Sequence, residues 1–344
     1  NDGNELGLAR IGNYIKKTKD ENSIFLTGGD ILQGQLISNT NKGALMMEVF
    51  NNLELDAFVI GNHEFDWGLD VVLQYFDPNT TGIKANFPIL GANVKQKNNG
   101  QRPEFIDSHT IIQRGNYKIG IIGVIGDGQE SSIMRLRVKD YYFSDAYTAV
   151  QETVNEIKNK VDFILVVSHD GNSTFNQKVS QLPKVFGIFN GHSHVQYSGH
   201  LNKIPYIQSG ANAEAVGQVD LKFDKSYGLR LINSDAKNIN RHPYLNAEDD
   251  EIKSIIDSYY NEISHLYTEI IIHASSFLSR DDLAYFSAKL MAKVTNSVFG
   301  FQNRGGTRAA ISQGPITGSD VFKVFPFDNQ IISAEIMGRD LKSL

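Results

Sequence analysis

The sequence predicts an α/β protein, and three observations carry the prediction. Short apolar runs alternate with segments whose apolar residues recur at helical spacing, as far as His169. The overall balance, 41% hydrophobic and 21% charged over 344 residues, is that of a globular chain long enough for two cored domains. Finally, four of the apolar runs deliver Asp, Asn or His at their carboxyl ends. Residues 25–27 lead into Gly28-Gly29-Asp30, and 57–60 into Gly61-Asn62-His63-Glu64-Phe65-Asp66-Trp67-Gly68. Residues 163–167 lead into Ser168-His169, and 185–189 into Asn190-Gly191-His192-Ser193-His194. Side chains placed where strands run into loops can be aimed at one point, as ligands and catalytic groups in open α/β sheets are. The simplest reading of four such ends is a shared metal site.

Composition excludes several classes. A formal charge of −6 argues against an electrostatic binder of nucleic-acid duplex. There is no cysteine, so a metal is left to His, Asp, Asn and water. No run approaches the roughly 18 apolar residues of a membrane span. No signal peptide is visible, and the chain opens without a preceding strand, which suggests a mature or trimmed product whose export signal was removed upstream.

In chain order, residues 8–17 present Leu8, Ile11, Tyr14 and Ile15 on one helical face. Residues 23–27 form the first strand, and the two glycines of its exit permit the tight path that brings the Asp30 carboxylate to the sheet edge. Alone, Asp30 is a turn residue or helix cap; beside the histidines it is a ligand candidate. Residues 44–53 form an amphipathic helix with Leu45, Met46, Val49, Phe50 and Leu53 inward, its Met-rich face being core. A second helix covers 69–75. Strands follow at 88–90 and 118–124, with Asn93 expected as a turn former. Ala146, Ala149, Val150, Val154 and Ile157 fit a helix over 144–160. Strands at 204–207 and 217–223 are expected to close a second sheet. A polar stretch, 235–250, precedes a long helix marked by Ile252, Ile255, Ile256, Tyr259, Ile263 and Leu266, able to bridge two domains. Beyond it, 281–296 is helical, 303–308 is a Gly-centred loop, and 321–327 and 330–336 are expected to be extended. The predicted division is a metal domain over 1–235, a linker over 236–270 and a second domain over 271–344. The last is thin for an independent domain and is expected to be incomplete.

Asp30, Asn62, His169 and His192 make a sulfur-free ligand set suited to zinc, manganese or iron, and two imidazoles disfavour calcium or magnesium. His194 points to a second ion: on an extended segment, side chains two apart share a face, and Asp30 could bridge both ions. Two metals about 3.5–4 Å apart can activate a water and neutralise phosphate oxygens, so the reaction class is phosphoester hydrolysis. His63 is the neighbour of a ligand and a candidate to charge a phosphoryl oxygen or protonate a leaving group, with Asp66 fixing its tautomer. The alternative is that His63 and Asp66 staple a loop. His109, His200, His242, His265 and His273 lack a strand-end context and are not expected to be ligands.

GGD, GNHEFD, SH and GHSH in this order resemble the calcineurin-like metallophosphoesterases. GNHEFDWG and the later NRGGTRAAISQGPITGSDVFKVFPFDN resemble the bacterial 5′-nucleotidase and 2′,3′-cyclic-nucleotide phosphodiesterase family, and the resemblance covers nearly the whole chain. It implies a four-layer αββα metallophosphoesterase domain, a linker helix and a C-terminal α/β nucleotide-binding domain. It also implies two divalent metal ions, zinc or manganese. Asp30 would bridge them, Asn62, His169 and His192 would complete one, His194 would serve the other, and His63 with Asp66 would form the catalytic dyad. Asn303 and Arg308 match the N-x-G-G-x-R pattern that meets substrate. Arg280 matches a further substrate arginine, with a structural salt bridge as its alternative; guanidinium groups suit phosphate. Phe327 matches an aromatic that stacks on the base, and one of Phe325 and Phe327 is expected to serve the core.

Three departures accompany the resemblance. The family's opening strand ends in Asp-x-His, which is absent here; Asn1-Asp2-Gly3 is the only candidate remnant. Ala284-Tyr285-Phe286-Ser287 stands where the family has a Gly-Asn pair. A second base-stacking aromatic is expected beyond Leu344. The function implied is hydrolysis of nucleotide phosphoesters by a metal-activated hydroxide, 5′-nucleotidase-like, with substrate carried between domains by rotation. Its alternatives are a 2′,3′-cyclic-nucleotide phosphodiesterase, a nucleotide-sugar hydrolase, a hydrolase of sulfur esters, or an inactive nucleotide-binding protein. An extracellular, cell-surface or periplasmic setting is expected.

Overall fold

The computed structural model describes residues 5–224 and 229–342, so the Asn1-Asp2-Gly3 remnant lies outside the described residues. The chain divides into two compact units. One comprises Asn1–Gln33 with Ser38–Tyr259, the other Gly34–Ile37 with Tyr260–Leu344.

The first unit is built on two sheets. Leu26–Thr27, Ala57–Val59, Ile89–Leu90 and Ile106–Asp107 form a parallel four-stranded sheet in that order. The six-stranded sheet runs in the order Gln196–Leu201, Ile204–Ser209, Val185–Asn190, Phe163–His169, Tyr117–Ile125, His109–Arg114. Its central strands are parallel and its two edge pairings antiparallel. Parallel strands covered on both faces are apolar throughout, which is why they stand out in the sequence as unbroken runs.

Side-chain alternation assigns the layers. Ala57 and Val59 pack with Leu90, Ile121 and Val167 between the sheets. Phe58 and Ile60 turn the other way, onto Met47 and Phe50 of the Ala44–Asn52 helix and Val72 of the Leu69–Leu73 helix. On the other sheet, Ile122, Val124, Ile164, Val166 and Ile188 face Val150 and Val154 of the Ala146–Ile157 helix and Phe175 and Val179 of the Ser173–Val179 helix. The result is the helix, sheet, sheet, helix order of an αββα sandwich. Gly123 sets the spacing at its centre, because a Cβ there would lie 2.6 Å from that of Leu90.

Several expectations need correction. Met47, not Met46, is the fully buried methionine of its helix. Asn93 does lie in a turn, closed by Val94 N–H on the Gly91 carbonyl (3.1 Å), but it is more than a turn former: it is completely buried and holds three backbone groups, donating from Nδ2 to the carbonyls of Ile125 (2.7 Å) and Ser144 (2.9 Å) and accepting at Oδ1 from Ile125 N–H (3.0 Å). Ile204–Ser209 joins the six-stranded sheet, whereas Val216–Asp224 forms a separate antiparallel pair with Arg230–Ile239, a strand that begins before the polar stretch and runs into it. His109–Arg114 and Gln196–Leu201 also went unread.

In the second unit, Ile270–Ala274 pairs antiparallel with Gly314–Thr317. The Arg280–Thr295 helix starts at a capping box in which Ser279 and Asp282 exchange side-chain and backbone hydrogen bonds. The expected long helix is Asp250–Ile263, followed by a short His265–Thr268 helix. The segment expected to be extended over 321–327 is mostly helical instead, Gly318–Val324, opened by a second capping box between Thr317 and Asp320. No strand forms over 330–336. Among the described residues no helix is long and apolar enough to cross a membrane.

Candidate active site

The site begins with one hydrogen bond. His169, the last residue of its strand and only 1% exposed, bonds through Nδ1 to the Gly28 carbonyl at 2.7 Å, so the first sheet's exit loop fixes the ring of a residue on the second sheet. With Nδ1–H donating to that carbonyl, Nε2 offers its lone pair to the space in front. Asp30 Oδ2 lies 3.0 Å from Nε2, and Asn62 Oδ1 lies 3.0 Å from it as well. Asn62 Oδ1 is also 3.0 Å from His192 Nδ1. The ligand atoms of Asp30, His169 and His192 all lie within 4.8 Å of one another.

This set suits a divalent metal by its chemistry. Asp30 Oδ2, Asn62 Oδ1 and the free His169 nitrogen are electron-pair donors turned on one another, and such a cluster is relieved by a cation or a shared proton. The titrations carry the same tension. Burial opposes charge on Asp30 and on His169, yet their mutual contact lowers the carboxyl's pKa and raises the imidazole's. At His192 burial dominates and, helped by the His169 charge, pushes the pKa down.

The second pair stands beside the first. His63 N–H donates to Asp30 Oδ1 at 2.8 Å, and its ring Nδ1 meets Asp66 Oδ2 at 2.7 Å. Burial acts against a charged His63, but the Asp66 hydrogen bond and the Asp30 charge prevail and raise its pKa to about 9.

Close approach of the exit loops depends on glycine. Gly29 has φ +90°, and a Cβ on it would lie 2.6 Å from His169 Nδ1 and 2.8 Å from Gly61 N. Only a residue without a side chain fits there at low cost.

His194 departs from the sequence argument. His192 (φ 72°) and His194 (φ 61°) both have left-handed backbone, so the segment is not extended and the rule that alternate side chains share a face does not apply. His194 is exposed and, among the described residues, falls outside the cluster of converging ligand atoms.

Two residues went unread in the sequence. Glu64 is completely buried and receives the N–H groups of Asp30 (2.9 Å), Ile31 (3.0 Å) and Gly61 (2.7 Å). Burial, reinforced by the Asp30 charge, pushes its pKa up to about 7. Gln208, 1% exposed, donates from Nε2 to Ser193 Oγ (2.6 Å) and to the Val195 carbonyl (2.8 Å), clamping the loop of His192 and His194. A carboxylate inside GNHEFD was the available signal for Glu64; Gln208 had none.

In the second unit, Arg280 Nε donates to the Thr307 carbonyl at 2.9 Å, tying the start of its helix to the 303–308 loop. The Arg308 guanidinium lies 5.7 Å from the Phe327 ring centroid, a cation–π arrangement. Asn303 is exposed and precedes the Arg304–Gly306 turn. Phe325 and Phe327 are both partly buried, and it is Pro326 between them that is core. Tyr285 and Phe286 are exposed.

Residues 3–196, more than half of the chain, match the calcineurin-like phosphoesterase family. The chain belongs to that family. Residues 270–344 match the 5′-nucleotidase C-terminal domain. It is 27% identical over 357 residues to the endonuclease YhcR of Bacillus subtilis, covering 96% of this chain and 29% of the relative. Against the apyrase of Tabanus yao identity is 28% over 391 residues, covering 97% of this chain and 66% of the relative. Among solved structures, the 5′-nucleotidase precursor of Thermus thermophilus superposes with a TM-score of 0.78 at 24% identity, covering 93% of this chain and 68% of that one. The chain thus spans between about a quarter and two thirds of the length of the first curated relatives.

Proposed function

We propose that the protein hydrolyses nucleotide phosphoesters with the help of divalent metal, zinc or manganese. Asp30, Asn62, His169 and His192 would hold one ion, and His194 with Asp30 would serve a second. The observation that carries the reading is the convergence of Asp30 Oδ2, Asn62 Oδ1, His169 Nε2 and His192 Nδ1 beside the His63–Asp66 pair. When bound, the metal supplies an acidified water and neutralises charge on phosphate oxygens.

The chain's own groups do the rest. The Asp66 carboxylate accepts from His63 Nδ1–H and holds that ring's orientation, leaving Nε2 to bond a phosphoryl oxygen or to give the leaving group its proton. Arg280 and Arg308 are suited to phosphate, Asn303 to a polar edge of the substrate, and Phe327, already backed by a guanidinium, to a base. In functional terms, 1–235 is the metal domain, 236–270 the linker and 271–344 the substrate domain. An extracytoplasmic setting belongs to the same proposal, rests on the family resemblance, and is read directly by cell fractionation.

The test is chromatographic assay of a panel of 5′-nucleotides, 2′,3′-cyclic nucleotides and nucleotide sugars, after EDTA and re-addition of zinc, manganese or magnesium. The expected result is metal-dependent turnover that falls about 10²- to 10⁴-fold in His63→Ala, with metal binding retained. Tight nucleotide binding without turnover under any metal would make the protein a nucleotide-binding one instead.

A further inference from the structure

Glu64 sits inside the GNHEFD loop, between the His63–Asp66 pair, yet its side chain turns away from both and into the protein. There its two oxygens take N–H groups from two separate loops. Oε2 receives Gly61 and Asp30, and Oε1 receives Ile31. Gly61 immediately precedes Asn62, and Asp30 is itself a candidate ligand, so one carboxylate joins the backbones of two ligand-bearing loops that leave different strands of the first sheet. The return bond from His63 N–H to Asp30 Oδ1 closes the link from the other side.

Asp30 needs such a restraint. Its backbone is left-handed, at φ 56°, a conformation disfavoured for a residue with a Cβ, and it follows Gly29, which has no side chain to pack. The strand that leads into this loop, Leu26–Thr27, is only two residues long.

From this geometry we infer that Glu64 is a positioning residue: by bonding three amides it sets the separation of Asp30 from Asn62 and so the metal affinity of the site. The inference rests on the metal-binding reading proposed above. Groups that orient ligands from behind typically change metal affinity or activity by about 10- to 100-fold when removed.

In Glu64→Gln the side-chain amide must turn its NH2 toward at least one N–H donor, so one bond is replaced by a donor facing a donor. Metal-free wild type, Glu64→Gln and Asp30→Ala are titrated calorimetrically with Mn²⁺, and hydrogen exchange is followed on the metal-free wild type. Expected are metal affinity at least about 10-fold weaker in Glu64→Gln, a lower kcat partly restored by excess metal with KM for nucleotide little changed, and slow exchange of the Asp30, Ile31 and Gly61 amides. Wild-type metal affinity in a folded Glu64→Gln, with Asp30→Ala impaired, overturns the positioning role alone. Wild-type affinity in both variants overturns the metal site as well. Should Glu64→Gln not fold, the exchange data decide: protection of all three amides supports the role, and exchange at open-loop rates overturns it.

Discussion

Replacing Asn93 by alanine should be among the most destabilising single changes in the first unit, although Asn93 touches none of the candidate catalytic groups. Its amide holds Ile125 at both backbone groups and Ser144 at its carbonyl, with bonds of 2.7–3.0 Å in a completely buried setting. Alanine removes the side-chain partner of three buried groups, each costing about 1–3 kcal/mol when left unsatisfied. Allowing for some relaxation of the carbonyls, the loss should be about 3–5 kcal/mol, a large share of a total stability of about 5–15 kcal/mol. Equilibrium urea unfolding reads it directly: at a slope of about 3 kcal/mol/M the midpoint should fall by about 1–1.7 M. Asn155→Ala is the control, because Asn155 is exposed and meets Lys158 Nζ on its own helix at 2.8 Å; it should shift stability by no more than about 0.5 kcal/mol. A midpoint for Asn93→Ala as close to wild type as the control's would refute the assignment of Asn93 as a backbone clamp. Because Ile125 pairs with His169 across the sheet, the same variant should also weaken metal binding.

Gly29→Ala should lose about 2–4 kcal/mol in thermal unfolding, since a Cβ at φ +90° would press on His169 Nδ1 and Gly61 N; a loss under about 1 kcal/mol would contradict the packing described. Asp249 makes a pH-dependent contribution. Burial disfavours its charge, but the 2.8 Å contact with Lys16 holds its pKa below the ordinary value, so the stabilisation is complete above about pH 4 and is lost as pH falls through the folded pKa. Asp249→Asn should therefore cost about 0.5–1 kcal/mol at neutral pH, and the gap to wild type should close on acidification; a gap that widens would reverse the sign argument. Phe327→Ala should weaken nucleotide binding by about 1–3 kcal/mol with kcat at saturation nearly unchanged, as substrate titrations of both proteins would establish.

The layered fold was legible because buried parallel strands read as apolar runs, and several of them, those ending before Gly28, Gly61, Gly91 and Gly191, have glycine at or next to the exit. Asp30, Asn62, His169 and His192 could be named from those exits alone. The edge strand Gln196–Leu201 could not, because Gln, Tyr, Ser, Gly and His at a half-covered edge carry no apolar period. Gly318–Val324 shows two local signals in conflict. Its valines and phenylalanine favour an extended chain, but Thr317 and Asp320 cap a helix at both backbone and side chain, and the cap prevails. Asn93, Glu64 and Gln208 were hidden for a different reason: most of their partners are backbone groups, which have no sequence identity of their own, and most lie more than ten residues away.

The left-handed residues around the site connect these hidden clamps to the chemistry. Asp30, Asp170, His192 and His194 all have φ between 56° and 80°, although none is glycine. Such backbone is unfavourable by roughly 1–3 kcal/mol per residue and persists only where the surroundings impose it. Each loop has a buried side chain that does so. Glu64 fixes the amides at Asp30; Gln129 donates from Nε2 to Asp170 Oδ2 at 2.6 Å; Gln208 holds Ser193 and the Val195 carbonyl on either side of His194. A strand exit in ordinary extended backbone would carry the chain on along the strand direction, with its side chains alternating between the two faces. Asp30 and His192 both sit at such left-handed positions, and Glu64 and Gln208 bond groups of their respective loops. Placement of the candidate ligands Asp30 and His192 therefore rests on left-handed backbone restrained by buried polar side chains of neighbouring elements, and loss of Glu64 or Gln208 should relax these two away from Asn62 and His169 before it unfolds the sandwich.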